Sequence, residues 1–263
     1  MQNRIDQCFK ALRSRNQKAF IAYICAGDPS LAATVDLALA LEKAGSDILE
    51  LGIAFSDPLA DGLVNQLAAQ RALAAGATVQ GVLDCIRQIR RHSQIPIALY
   101  TYLNPIFQFG FERFHREASD AGVDGLLILD LPPEEDLGVE SESLLHIRLI
   151  APTTPPNRIR QICARAAGFI YYVSREGVTG AQTSVASSLG DRVGEIRRHT
   201  KLPIAVGFGI SNAEQAHEVA VFADAIVVGS AIVQKIDEAG AAPDLAEKIR
   251  QFVEPLVAAT KNL

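Results

Sequence analysis

The chain has 263 residues, 49% of them hydrophobic and 21% charged, with a formal net charge of -5. That composition suffices for a sizeable core, and its acidic balance excludes a general nucleic-acid binder. Four scattered cysteines without a CxxC pair and five scattered histidines exclude structural zinc and a disulfide framework, so no metal is expected and reduced cytoplasmic thiols fit. The longest apolar stretch, 225–233, is far shorter than the ~20 residues of a membrane span. The charged residues 1–17 lack the apolar core of a signal peptide.

Taken in order, the chain opens with a helical pattern over 5–14 and a first strand over 20–25, followed by a helix over 31–44. A second strand, 48–51, precedes a short helix at 66–75 and a longer one at 78–91. The third strand is 97–100, with a helix at 111–121. The fourth is 126–129, with a weak helical pattern at 134–144. The fifth is 147–151, with a helix at 158–166, and the sixth 170–173, with a helix at 189–199. The seventh is 204–206, with a helix at 213–220. The eighth is 225–228, after which Ala231 continues as a short helix and 244–260 forms the last one.

Eight strands joined by eight long crossovers imply a parallel sheet, and no linker divides the series. The expectation is a single α/β domain over 1–263: a (β/α)8 TIM barrel with an extra N-terminal helix and a short extra helix after strand 2. An open doubly wound sheet is the alternative, although no GxGxxG follows the first strand. In a barrel, chemistry belongs at the C-terminal strand ends.

Glu50 interrupts an apolar strand there. Alternation puts Ile48, Glu50 and Gly52 on one face and Leu49 and Leu51 on the other. Glu50 then points into the barrel, where a carboxylate must be shielded, paired or protonated. A strand-end Glu reaching solvent at the rim is the competing reading. Asp61 follows eleven residues later in a loop punctuated by Pro58 and Gly62, and two acids at one mouth suit general acid–base work. Glycines follow strands six, seven and eight: Gly177 and Gly180, Gly207 and Gly209, and Gly229 before Ser230. Each alone reads as an ordinary turn residue. Together at consecutive strand ends they suit backbone amides approaching a phosphate. Ser211 and Glu214 have capping-box spacing and predict a helix start just after Gly209.

The segment from Leu49 through Gly62 (LELGIAFSDPLADG) closely resembles the signature of the tryptophan synthase alpha subunit family. So do Ala26-Gly27-Asp28-Pro29, Thr101-Tyr102-Leu103-Asn104-Pro105, Asp130-Leu131-Pro132-Pro133, Gly177-Val178-Thr179-Gly180 and Gly207-Phe208-Gly209, and the likeness covers almost the whole chain. The resemblance implies retro-aldol cleavage of indole-3-glycerol phosphate to indole and glyceraldehyde 3-phosphate, a carbon–carbon lyase reaction of tryptophan biosynthesis. It implies no metal or organic cofactor in this chain, with pyridoxal phosphate confined to a beta subunit partner in an alpha-beta-beta-alpha heterotetramer.

By matching position, Glu50 is the principal proton shuttle, raised in pKa by apolar neighbours. Asp61 takes the indole N–H, and Tyr171 assists near the reacting carbons. Gly180, Gly209, Gly229 and Ser230 hold the phosphate. Tyr102 stands beside the active site, Phe208 at the ligand pocket, and Thr179 helps close its loop around Asp61. Phe55, Asp57, Pro58 and the 102–105 rim are the candidate partner contacts. A stand-alone lyase, another phosphate-sugar barrel enzyme, or a catalytically dead allosteric subunit are the rival readings, the last opposed by the retained Glu50 and Asp61. The chain departs from the family pattern at Ala54 (usually Pro), at Leu63-Val64-Asn65 in place of a Pro-containing start, at Tyr23 (often Phe), and in a shorter 135–147 segment.

Overall fold

The computed structural model describes residues 3–135, 143–174, 182–207 and 209–262. Eight parallel strands close in sequence order: β1 (Ala19–Ala26), β2 (Ile48–Ile53), β3 (Ile97–Thr101), β4 (Gly125–Ile128), β5 (Leu145–Ile150), β6 (Ile170–Val173), β7 (Ile204–Gly207) and β8 (Ala225–Val228). Pairing of β1 with β8, Ala19 beside Ala225 and Ala22 beside Val228, completes the ring and overturns the open-sheet alternative.

Strand periodicity sorts the apolar residues into two cores. Ile21, Tyr23, Ile48, Ala98, Leu127, Ile147, Tyr171 and Ala205 fill the barrel. Their neighbours Ala22, Leu49, Leu51, Leu99, Leu126 and Val206 face outward into the layer beneath the helices.

The helices are α1 (Arg4–Ser14), α2 (Leu31–Lys43), α3 (Leu63–Ala74), α4 (Val79–Arg90), α5 (Leu103–Phe109), α6 (Phe111–Ala121), α7 (Pro156–Ala164), α8 (Gln182–Arg197), α9 (Ala213–Ala220), α10 (Ser230–Ala239) and α11 (Leu245–Lys261). The predicted N-terminal helix, α1, closes the lower end of the barrel. Its Ile5, Phe9 and Leu12 join the interior cluster. Its cap, Asn3, accepts from the Ile5 amide and donates to the carbonyls of Asp124 (2.8 Å) and Ser143 (2.9 Å). Asp124, buried just before β4, pairs with Arg4 (2.9 Å) and Arg90 (2.8 Å), fastening α1 and α4 to the strand.

Several boundaries depart from expectation. The extra helix after β2 starts at Leu63 rather than residue 66, because its N-cap is Gly62, which has no side chain to mark the start. Helix α5 was not anticipated. Pro105 suggests a break, yet it occupies the third helical position, where the missing N–H has no intrahelical partner to lose. Helix α8 begins seven residues before the predicted 189. Most of the weak 134–144 pattern lies outside the described residues, and its described ends are turn and bridge rather than helix. The cap of α9 is Asn212, one residue beyond the predicted Ser211: Asn212 Oδ1 accepts from the Gln215 amide, and Gln215 Oε1 accepts from the Ser211 amide. Cys8, Cys25, Cys85 and Cys163 are free thiols.

Candidate active site

A cavity of about 660 Å³ opens at the C-terminal ends of the strands. It is lined by Glu50, Asp61 and Tyr171, and also by Gly209, Gly229 and Ser230. Six of the ten residues singled out from sequence thus converge on one space. Tyr102 reaches it indirectly, through Asp61. Thr179, Gly180 and Phe208 lie outside the described residues.

Glu50 stands on β2 between Tyr23 of β1 and Ala98 of β3 in the parallel register. It is 1% exposed, and both carboxyl oxygens are buried without a hydrogen-bond partner among the described residues. Burial, helped by the nearby Asp61 charge, pushes its carboxyl up to about 8. An isolated carboxyl in an apolar site keeps its proton, because the ionised form has lost its water. The packing around it is close: a Cβ on Gly52 would fall 2.5 Å from the Tyr23 hydroxyl, so only glycine lets that ring lie beside β2. Tyr23 and Tyr100 meet edge-on, ring centroids 5.0 Å apart.

Asp61 sits in the β2–α3 loop, and its position is set by two phenols of β3 and the residue after it. Tyr100 donates to Oδ1 and Tyr102 to Oδ2, each at 2.8 Å. The Ala60 amide donates to the Tyr102 hydroxyl, and the Gln66 side chain donates to the Asp61 carbonyl. Burial lifts the phenols of Tyr23, Tyr100 and Tyr171 well above the ordinary tyrosine range, which keeps them protonated as donors. Sequence reasoning missed Tyr100. The alternation of β3 held the signal, since Tyr100 shares the inward face with Ala98.

Across the cavity, α10 begins at Ser230, with Gly229 as its N-cap and no side-chain cap. Val233 is the first amide to bond back, to the Gly229 carbonyl, which leaves the amides of Ser230, Ala231 and Ile232 without intrahelical partners. Such an end suits an anion. Gly209 holds φ +67°, a left-handed conformation, in the loop after β7. Arg71 of α3 ties these parts together. It donates two hydrogen bonds to the buried Asp28 (2.9 and 2.8 Å) and pairs with Asp237 of α10 (3.1 Å).

The model of one protein family, "Tryptophan synthase alpha chain", matches residues 9–261. The chain belongs to the tryptophan synthase alpha chain family. Among its relatives, the tryptophan synthase alpha chain of Opitutus terrae is 50% identical, covering 99% of this chain and 100% of that one. That of Citrifermentans bemidjiense is 47% identical, over 97% and 96%. The crystal structure of tryptophan synthase subunit alpha from Legionella pneumophila superposes with a TM-score of 0.91 at 39% identity, covering 100% of both chains. A tryptophan synthase chain of Mycobacterium tuberculosis gives 0.89 at 31% identity, over 99% of both. The alpha-chain family is a lyase family, and its reaction cleaves indole-3-glycerol phosphate to indole and glyceraldehyde 3-phosphate.

Proposed function

We propose that Glu50 and Asp61 carry out this cleavage in the cavity above the barrel, with the substrate phosphate seated at Gly209, Gly229 and Ser230. What carries the reading is one juxtaposition: a buried, partnerless carboxyl and a phenol-held carboxylate share a cavity with an uncapped helix N-terminus. The reaction asks for one proton delivered to indole C3 and one removed from the adjacent hydroxyl as the carbon–carbon bond breaks, so the net proton count is zero. A carboxyl near pKa 8 supplies the first at neutral pH and, once ionised, takes up the second. Asp61 accepts the indole N–H and offsets the positive charge that C3 protonation puts on the ring. Tyr171 faces the reacting carbons from β6. These steps are proton transfers, and the proposal includes no metal or organic cofactor in this chain.

The amides at the start of α10 and the Gly209 turn bind the phosphate. Gly209→Val forces a β-branched residue into φ +67°, which costs about 1–3 kcal/mol. Steady-state kinetics should register a KM rise above about tenfold; an unchanged KM removes Gly209 from the cradle.

The proposal extends to a cytoplasmic alpha-beta-beta-alpha assembly with a pyridoxal-phosphate-bearing beta subunit. Support comes from the apolar rim of the mouth, where Leu59 is 90% and Phe107 61% exposed. Phe55 packs against Tyr102, ring centroids 5.4 Å apart, so this rim touches the residue that holds Asp61. Among the described residues no helix is long and apolar enough to cross a membrane. The deciding experiment measures indole released from indole-3-glycerol phosphate by the purified chain, alone and with a beta subunit. Release that rises on adding the partner, with co-elution of the two chains, is the expected result. No release in either condition refutes the reaction, and release without co-elution or activation refutes the assembly.

A further inference from the structure

The third residue of α3, Asn65, lines the same cavity as Glu50 and Asp61. Its Oδ1 is screened from solvent and has no hydrogen-bond partner among the described residues. An unpaired amide oxygen in such a place is a burden on the fold, of the kind that native proteins keep where a ligand completes the pairing. Glu50, which also lines this cavity with unpaired buried oxygens, is taken by the proposed proton transfers, and the remaining polar side chains are differently placed. Both Asp61 oxygens already accept a phenol, and the cavity-lining hydroxyls of Thr153 and Ser174 can rotate to donate or accept.

The substrate of the proposed reaction, on which this inference rests, carries three donors apart from its phosphate: the indole N–H and two hydroxyls. Asp61 takes the first, and Glu50 handles the proton of the hydroxyl that becomes the aldehyde. The second hydroxyl has no acid assigned to it, and burying it unpaired weakens binding. We infer that Asn65 is a substrate-binding residue whose side-chain amide pairs with the non-reacting hydroxyl of the glycerol phosphate chain. A hydroxyl both donates and accepts, so it fits either end of the amide once the side chain turns about χ2 toward the cavity.

Asn65→Leu, close in volume, and Asn65→Ala, which adds no atoms, test this against wild type with two ligands. The first is indole-3-glycerol phosphate; the second is indole-3-propanol phosphate, which lacks both hydroxyls and serves as a competitive probe. Both variants are expected to raise KM for the substrate about five- to tenfold, with the inhibition constant of the probe within about twofold of wild type. Thermal unfolding should show no loss of stability in Asn65→Leu, since an orphaned oxygen is removed; a residue with a merely structural role would lower the midpoint. An unchanged KM overturns the assignment, and so does a parallel rise for substrate and probe, which marks general damage to the pocket. Absence of indole release from wild type overturns the reaction itself, and this assignment with it.

Discussion

Glu50→Gln is expected to abolish most lyase activity, by about 10²–10⁴-fold, while making the protein more stable than wild type at pH 7. Both effects come from one carboxyl. Unfolded, it ionises near 4.5; folded, burial holds its proton to about 8. Between those values the native state binds one more proton than the unfolded state, so native stability falls as pH rises, by about 1.4 kcal/mol per pH unit. The deficit is absent below pH 4.5, on the order of 3 kcal/mol at pH 7, and complete above pH 8. Glutamine does not titrate. The melting-temperature advantage of the variant should therefore widen from pH 5 to pH 8, by about 2–4 °C for each kcal/mol, and then level off. An advantage that stays flat with pH would show that Glu50 ionises normally in the fold.

Asp61→Asn is the second large effect, expected to lower kcat/KM by about 10²–10³-fold. Its oxygens each accept a phenol O–H, from Tyr100 and Tyr102. An amide offers one oxygen and one NH₂, so one phenol is left facing a donor and the side chain must turn away from its position. Tyr100→Phe and Tyr102→Phe each remove one of the two bonds and leave the carboxylate, and they should cost about tenfold or less. Asp61 is also the second cause, after burial, of the raised Glu50 carboxyl. In Asp61→Asn the pH at which stability stops declining should consequently move below that of wild type, readable from unfolding midpoints between pH 5 and 9. Activity within threefold of wild type, or an unmoved pH break, would separate Asp61 from both the chemistry and Glu50.

Much of this arrangement could be read from the chain before any coordinates. The alternation Ile48, Glu50, Gly52 against Leu49, Leu51 assigns Glu50 to the inner face, since a strand carries only two, but leaves a solvated rim position open until burial closes it. Gly209 and Gly229 were legible for a similar reason, because their position relative to strand ends has a limited set of backbone uses. What escaped depended on other kinds of information. Helix α5 was hidden by a proline whose effect depends on its distance from an unseen cap. Tyr100 reads as an ordinary inward strand residue until the Asp61 loop folds over it. Asn65 reads as a helix-start polar residue, and only burial distinguishes it from a solvated one. Tyr102 reads from its position as a neighbour of the site, and the structure adds that its hydroxyl meets Asp61 while its ring is not part of the cavity lining.

The plug beneath the barrel sets an order on how the molecule can be assembled. Helix α1 is made before every strand it plugs, yet Asn3 finds its partner carbonyls at Asp124 and Ser143, 121 and 140 residues further along. Phe9 waits longer still for Phe169, whose ring centroid lies 5.8 Å from its own. Until those segments have been made, the stripe of Ile5, Phe9 and Leu12 has no seat. A helix made before all eight strands is thus bound to dock late, and the growing chain carries an unsheltered greasy edge until the barrel is made.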